Sequence, residues 1–139
     1  MKPTVLLTGG FGNLGGRITA AIAATNRWNI KLVSRSAVTA PLWAPDAEII
    51  RFDLTSRPLE STICDGVDAV IHLAALEDIA AKSNIDLANE LSGNATQYLI
   101  KNATRFNVER FLFMSTAHVY GDSLMGAITE ESITTSTHP

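Results

Sequence analysis

Thr8-Gly9-Gly10-Phe11-Gly12-Asn13-Leu14-Gly15 follows the apolar run Val5-Leu6-Leu7 and opens a helical pattern, so strand, glycine turn and helix come in the order a dinucleotide-binding turn requires. Glycines at 9, 12 and 15 let the chain turn tightly off a strand, let bare backbone approach a pyrophosphate, and let the following helix pack closely on the sheet. The free N–H groups of the helix's first turn, at Asn13, Leu14 and Gly15, and its positive dipole end then face the phosphates. The competing reading is an ordinary glycine-rich turn. The strand before it and the helix after it weigh against that.

Outward from the turn, apolar runs of strand length recur at Thr4 to Thr8, Ile30 to Ser34, Glu48 to Phe52, Ala69 to Leu73 and Arg110 to Ser115. They are nearly continuous rather than alternating, as expected of parallel strands covered on both faces. Between them, Leu14, Ile18, Ala21, Ile22 and Thr25 share one helical face, and Ala88, Leu91, Ala95, Leu99, Asn102 and Phe106 share another. Alternating strands and helices predict an α/β fold, a Rossmann-type doubly wound parallel sheet of about five strands in the order 3-2-1-4-5. Ligands then bind at the carboxyl ends of the strands. Ser36 to Asp46 and Gly121 to Pro139 read as loops.

At 139 residues the chain has the length of one domain, residues 1–139. Its hydrophobic content of 46% and charged content of 18% describe a packed protein, not an open chain. The net charge of −3 and the lack of a Lys/Arg cluster argue against nucleic acid as a partner. No apolar run approaches the ~20 residues of a spanning helix, so no membrane is expected and the cytoplasm is the default compartment. Cys64 is the single cysteine, which excludes an internal disulfide and a cysteine-rich zinc site, and no metal is expected.

The second strand ends in Ser34-Arg35, about 20 residues beyond the glycine turn, where an acidic residue would hold the ribose hydroxyls of NAD. With no acid there, Ser34 and Arg35 could bind a 2′-phosphate, which leans the reading of NAD(P) toward NADP; alternatively Arg35 is a solvated loop charge. Asp53, in Asp53-Leu54-Thr55 after the third strand, could accept a hydrogen bond from an adenine amino group or cap the next segment. Ile71-His72-Leu73-Ala74-Ala75 ends the fourth strand in small residues, suited to a flat cofactor. His72 reads as a packed core histidine before a catalyst. Ser115 and Thr116 close the fifth strand with two hydroxyls beside the cofactor's place, able to bind a substrate alcohol or carbonyl during hydride transfer. His118 could face pocket or solvent. Glu77, Asp78, Glu130 and Glu131 read as solvated charges, and Trp28 and Trp43 as packing residues.

Three stretches together resemble the extended short-chain dehydrogenase/reductase family, the nucleotide-sugar epimerases and dehydratases. They are Thr8 to Gly15, Asp53-Leu54-Thr55 with Val70-Ile71-His72-Leu73-Ala74-Ala75, and Ser115-Thr116-Ala117-His118-Val119-Tyr120-Gly121. The resemblance covers essentially the whole chain. It implies Gly9, Gly12 and Gly15 at the pyrophosphate, Asp53 at adenine, Ala74 and Ala75 along the cofactor, and Thr116 as the catalytic Ser/Thr. It also implies a nucleotide-sugar-like substrate and a homodimer through the long helix at about 84–106. Two departures stand out. Ser92 and Ala95-Thr96 replace the family's N-V-x-G-T pattern, and the Tyr-x-x-x-Lys pair, due just after Ser136-Thr137-His138-Pro139, occurs nowhere in residues 1–139.

Tyr120 does not substitute, because Leu124 lies four residues on. Without the tyrosine no acid or base is positioned for the hydroxyl proton, and without the lysine nothing lowers that tyrosine's pKa. A protein ending at Pro139 is therefore expected to lack the sixth strand and substrate lobe, to bind cofactor poorly, to self-associate and to transfer no hydride. Two readings result. One is the NAD(P)-binding portion of an epimerase/dehydratase-like oxidoreductase, inactive as the isolated chain; the other is a non-catalytic NAD(P)-binding sensor or interaction module.

Overall fold

A computed structural model of the chain describes residues 1–36, 38–58, 61–76, 81, 83–121 and 126–136. Glu77, Asp78, Leu124 and the last residues of the expected Gly121 to Pro139 loop lie outside that set. Five strands, β1 (Thr4–Thr8), β2 (Asn29–Ser34), β3 (Glu48–Arg51), β4 (Ala69–His72) and β5 (Arg110–Phe113), form one parallel sheet in the order β3-β2-β1-β4-β5. The expected strand order and fold class hold.

The continuous apolar runs divide residue by residue between two layers, because successive side chains of a strand leave on opposite faces. Val5, Leu7, Ile30 and Leu32 pack with Ile18, Ile22 and Ala23 of helix α1 (Asn13–Thr25). Leu6, Val33 and Val70 pack on the other face with Leu99 and Ala103. The second layer's helix starts as α2 (Ile85–Asn89), widens through a π-helical segment (Glu90–Asn94) and continues as α3 (Ala95–Arg105). Its expected face is the buried one: Ala88, Leu91, Ala95, Leu99 and Asn102 are all below a tenth exposed.

The expected face of α1 needs correction. Leu14 is half exposed, Ala21 and Thr25 are exposed, and the positions driven into the sheet are Gly15 and Thr19. At its first turn the helix approaches the Gly9 backbone too closely for any side chain at Gly15, while Ile18 and Ile22 of the expected face pack on the sheet. Thr19 fits by donating its hydroxyl to the Gly15 carbonyl at 2.8 Å. Trp28 is half-buried against the α1-side core, but Trp43 is 47% exposed and is not a core residue. No helix among the described residues is long and apolar enough to cross a membrane.

Register fixes the site. Thr8 stands opposite Val33 on one side and His72 on the other, and His72 stands opposite Phe113. Three carboxyl ends therefore finish in one row, and the glycine turn, Leu73-Ala74-Ala75 and Met114-Ser115-Thr116 leave the sheet side by side.

Candidate functional site

The glycine turn is shaped by contacts that exclude side chains. Gly9 has φ +71°, and a Cβ on it would lie 2.8 Å from the Ala74 nitrogen and from the Leu73 carbonyl carbon. A Cβ on Gly15 would overlap the Gly9 carbonyl oxygen, so helix and turn touch backbone to backbone. Gly12 donates its N–H back to Gly9 O at 3.0 Å and caps α1 with no side-chain hydrogen bond, and no acidic residue occupies the first turn. The helix thus presents free N–H groups and an uncompensated positive end at the edge where the strands stop. These are the features a pyrophosphate requires.

Two cavities open along that edge. The first, about 310 Å³, is bounded by Thr8, Gly9, Phe11 and Gly12 of the turn, Val33, Ser34 and Arg35 after β2, Phe52 and Leu54 after β3, Leu73 to Leu76 after β4, and Leu91. The second, about 600 Å³, shares Leu73 to Leu76 and adds Ala81, Ala88, Ser92, Phe113 to Thr116, His118, Val119, Thr134 and Ser136. The β4 exit is the common floor of both.

Of the residues expected at the cofactor, Gly9, Gly12, Ser34, Arg35, Leu54, Leu73, Ala74 and Ala75 line the first cavity. Ser115 and Thr116 line the second, and His118, exposed, lines it too. Asn13, Leu14 and Gly15 line neither. Gly15 instead backs Gly9 from inside, while Asn13 and Leu14 are exposed.

Asp53 is also outside the linings and lies in a turn of its own. Its Oδ1 accepts the Thr55 N–H at 2.9 Å and the Thr55 hydroxyl at 2.8 Å. Those two bonds, backbone first, hold the pKa of this exposed carboxylate below its ordinary value against a slight loss of solvation, and the Arg35 guanidinium adds a smaller pull in the same direction. The local turn role is thus occupied by one oxygen of the carboxylate.

Thr116 begins the 3₁₀ turn Ala117–Tyr120 and accepts the His118 N–H at 3.3 Å. That bond uses the hydroxyl oxygen as acceptor and leaves its proton to donate. Sequence reasoning missed Thr134 and Ser136. They reach the larger cavity because Thr135 N and Ser136 N both bond to the Val119 carbonyl at 3.1 and 3.2 Å, and the Thr135 hydroxyl bonds to the Tyr120 carbonyl at 2.9 Å. Such a fold-back of an irregular segment has no periodicity to read.

His72 is buried, as a packed histidine. Its Nδ1 lies 2.5 Å from the Thr8 hydroxyl and its Nε2 lies 2.9 Å from the Thr96 hydroxyl, partners that the sequence did not reveal. Loss of solvent lowers its pKa from 6.5 to about 4, so the ring is neutral in the fold at physiological pH.

Known proteins are similar to this chain. The profile of the NAD dependent epimerase/dehydratase family matches residues 5–139. D-erythronate dehydrogenase of Haemophilus influenzae is 29% identical over 134 residues, which make up 92% of this chain and 42% of that protein. The NAD-dependent glucose-6-phosphate dehydrogenase of Haloferax volcanii is 32% identical over 124 residues, 87% of this chain and 46% of that one. Among solved structures, DesIV (dTDP-glucose 4,6-dehydratase) from Streptomyces venezuelae with NAD and TYD bound is similar in fold, with a TM-score of 0.83 at 23% identity over 96% of this chain and 45% of that one. The chain spans less than half the length of these relatives. Its sheet order, the glycine turn on its first strand and a profile match over nearly every residue agree: the chain belongs to the NAD dependent epimerase/dehydratase family.

Proposed function

We propose that residues 1–139 are the NAD(P)-binding portion of a cytoplasmic oxidoreductase that acts on a nucleotide-sugar-like substrate by epimerase or dehydratase chemistry. The observation that carries this is the pair of cavities joined over the β4 exit, one beginning at the glycine turn and the other ending at Ser115 and Thr116. A dinucleotide laid along that edge has its pyrophosphate at Gly9 and Gly12 and the free end of α1, and its adenosine between Ser34-Arg35 and Leu54. The nicotinamide end then extends over Ala74 and Ala75 toward Thr116. The cofactor, when bound, supplies hydride acceptance and return. The chain's own residues do the rest of what is visible: Ala74 and Ala75 leave room for a flat ring, and Thr116 offers a proton to a substrate oxygen. The names of solved relatives, a UDP-N-acetylglucosamine 4-epimerase and DesIV among them, support the substrate class. A homodimer through the helix at about 84–106 belongs to the same proposal.

Arg35 supports a preference for NADP. It is exposed at the rim of the first cavity beside half-buried Ser34, where a 2′-phosphate would meet a guanidinium and a hydroxyl. Calorimetric titration tests this. NADP should bind more tightly than NAD, and Arg35→Ala should cost NADP about tenfold while leaving NAD unchanged; equal affinities in the unaltered protein would reject the preference.

A second reading is a non-catalytic NAD(P)-binding sensor or interaction module. The reading frame of the source gene separates the two. A tyrosine at 140 with a basic residue four residues on supports the enzyme, and a stop codon after Pro139 supports the module.

A further inference from the structure

The Thr8 hydroxyl oxygen accepts the Ala74 N–H at 3.3 Å and shares the Leu73 N–H, at 3.3 Å, with the Thr8 carbonyl oxygen, which takes it at 3.1 Å. With these N–H groups turned toward its lone pairs, the hydroxyl gives its one proton to His72 Nδ1, 2.5 Å away. Nδ1 is therefore the bare nitrogen of the imidazole. On the opposite side, Thr96 gives its hydroxyl proton to the Ser92 carbonyl oxygen at 2.8 Å, so its oxygen meets His72 Nε2, 2.9 Å away, as an acceptor. Both ends of the ring demand the same neutral tautomer, with the proton on Nε2. The ring is 1% exposed and lies beside Phe111 and Phe113, with centroids 6.2 and 5.7 Å away, so solvent offers no alternative partner.

This chain of bonds crosses the site. It starts on the Leu73-Ala74 backbone that floors both cavities, passes through the residue that opens the glycine turn, and ends at Ser92 in the wall of the larger cavity. Gly9 sits against the same backbone, where a Cβ would fall 2.8 Å from Ala74 N. A polarised chain of this kind holds its members in one arrangement, because reversing any link leaves a buried donor facing a donor.

We infer that His72, as the Nε2-protonated tautomer, is a positioning residue that fixes the glycine turn, the Leu73-Ala74 floor and the Ser92 wall as one unit and thereby sets dinucleotide affinity without touching the ligand. The claim on affinity rests on the cofactor reading proposed above. The tautomer does not, and can be measured alone.

Nitrogen-15 NMR of the unliganded protein reads the tautomer directly. A protonated Nε2 with a bare Nδ1 is expected; a proton on Nδ1, or a ring averaging between the two forms, overturns the inference whatever the cofactor does. Titration with NAD and with NADP reads the consequence. Thr96→Val keeps the shape but removes the acceptor for Nε2–H, and should weaken both dinucleotides about tenfold, while Thr96→Ser, which keeps the hydroxyl, should bind them as the unaltered protein does. A folded Thr96→Val protein with undiminished affinity overturns the inference. If Thr96→Val does not fold, weakening by Thr96→Ser despite an intact hydroxyl does the same. An unaltered protein that shows the Nε2–H tautomer but binds neither dinucleotide refutes the cofactor reading, and the claim on affinity with it.

Discussion

At the scale of single residues, two glycines separate a structural demand from an incidental one. A methyl on Gly15 would overlap the Gly9 carbonyl oxygen, which is backbone and cannot swing aside, whereas a methyl on Gly93 meets nothing within 4 Å. Gly15→Ala should therefore lose about 3 kcal/mol through overpacking, despite the gain in helix propensity. Gly93→Ala should gain about 0.5–1 kcal/mol by restricting the unfolded chain. Urea midpoints of the two variants check both signs. His72 carries a pH dependence that follows from its burial. Its pKa is about 4 in the fold against 6.5 outside it, so between those values the unfolded chain takes up a proton that the folded chain refuses. Stability is complete above about pH 6.5 and is lost as pH falls toward 4, by about 3 kcal/mol in all. Urea midpoints at pH 7 and pH 4.5 should show the loss in the unaltered protein and a shallower one in His72→Asn; equal slopes would remove His72 as the cause.

At the scale of elements, what the sequence revealed depended on whether a contact is made by apolar bulk. All five strands were legible to within two residues, because each is an apolar run bounded by turn residues. The face of α2 and α3 was legible for the same reason, and the π-helical widening at Glu90–Asn94 was not, since the apolar spacing continues across it. The α1 face was legible at Ile18 and Ile22 and misread at Leu14, Ala21 and Thr25, because its tightest contact uses Gly15 and Thr19, which an apolar count passes over. In the site, the positions at strand ends were legible from the fold alone, while the partners of His72 and the fold-back at Thr134 to Ser136 come from pairing between distant segments. The β5 edge supplies a prediction of its own. Among the described residues β5 pairs only with β4, and Leu112, Phe113 and Met114 are each about half exposed, at 52%, 51% and 50%. An apolar edge of this kind recruits other strands. Sedimentation of the 139-residue chain should show mass rising with concentration, and Leu112→Lys should suppress the rise by putting a charge on the edge; an unchanged profile would place the self-association elsewhere.

At the scale of the whole molecule, the two cavities differ in the chemistry they offer. The first is bounded at the glycine turn by the close backbone of Gly9 and Gly12, and the N-terminal end of α1 begins just beyond it. The second offers the hydroxyls of Ser92, Ser115, Thr116, Thr134 and Ser136, and among the described residues that line it His118 is the one titratable side chain. Hydroxyls orient a substrate oxygen but do not take its proton at neutral pH, because their own pKa lies far above it. General acid–base catalysis contributes about 10² to 10⁴ in rate, and that factor needs a group poised near neutrality within reach of the reacting oxygen. Residues 1–139 alone should therefore bind dinucleotide weakly and, mixed with NAD(P) and a UDP- or dTDP-sugar, give no measurable reduced nicotinamide by absorbance. A longer form of the protein that supplies a tyrosine and lysine to the rim beside Thr116 should give it. Turnover by residues 1–139 would overturn this, and its loss in His118→Gln with dinucleotide affinity intact would assign the base to His118.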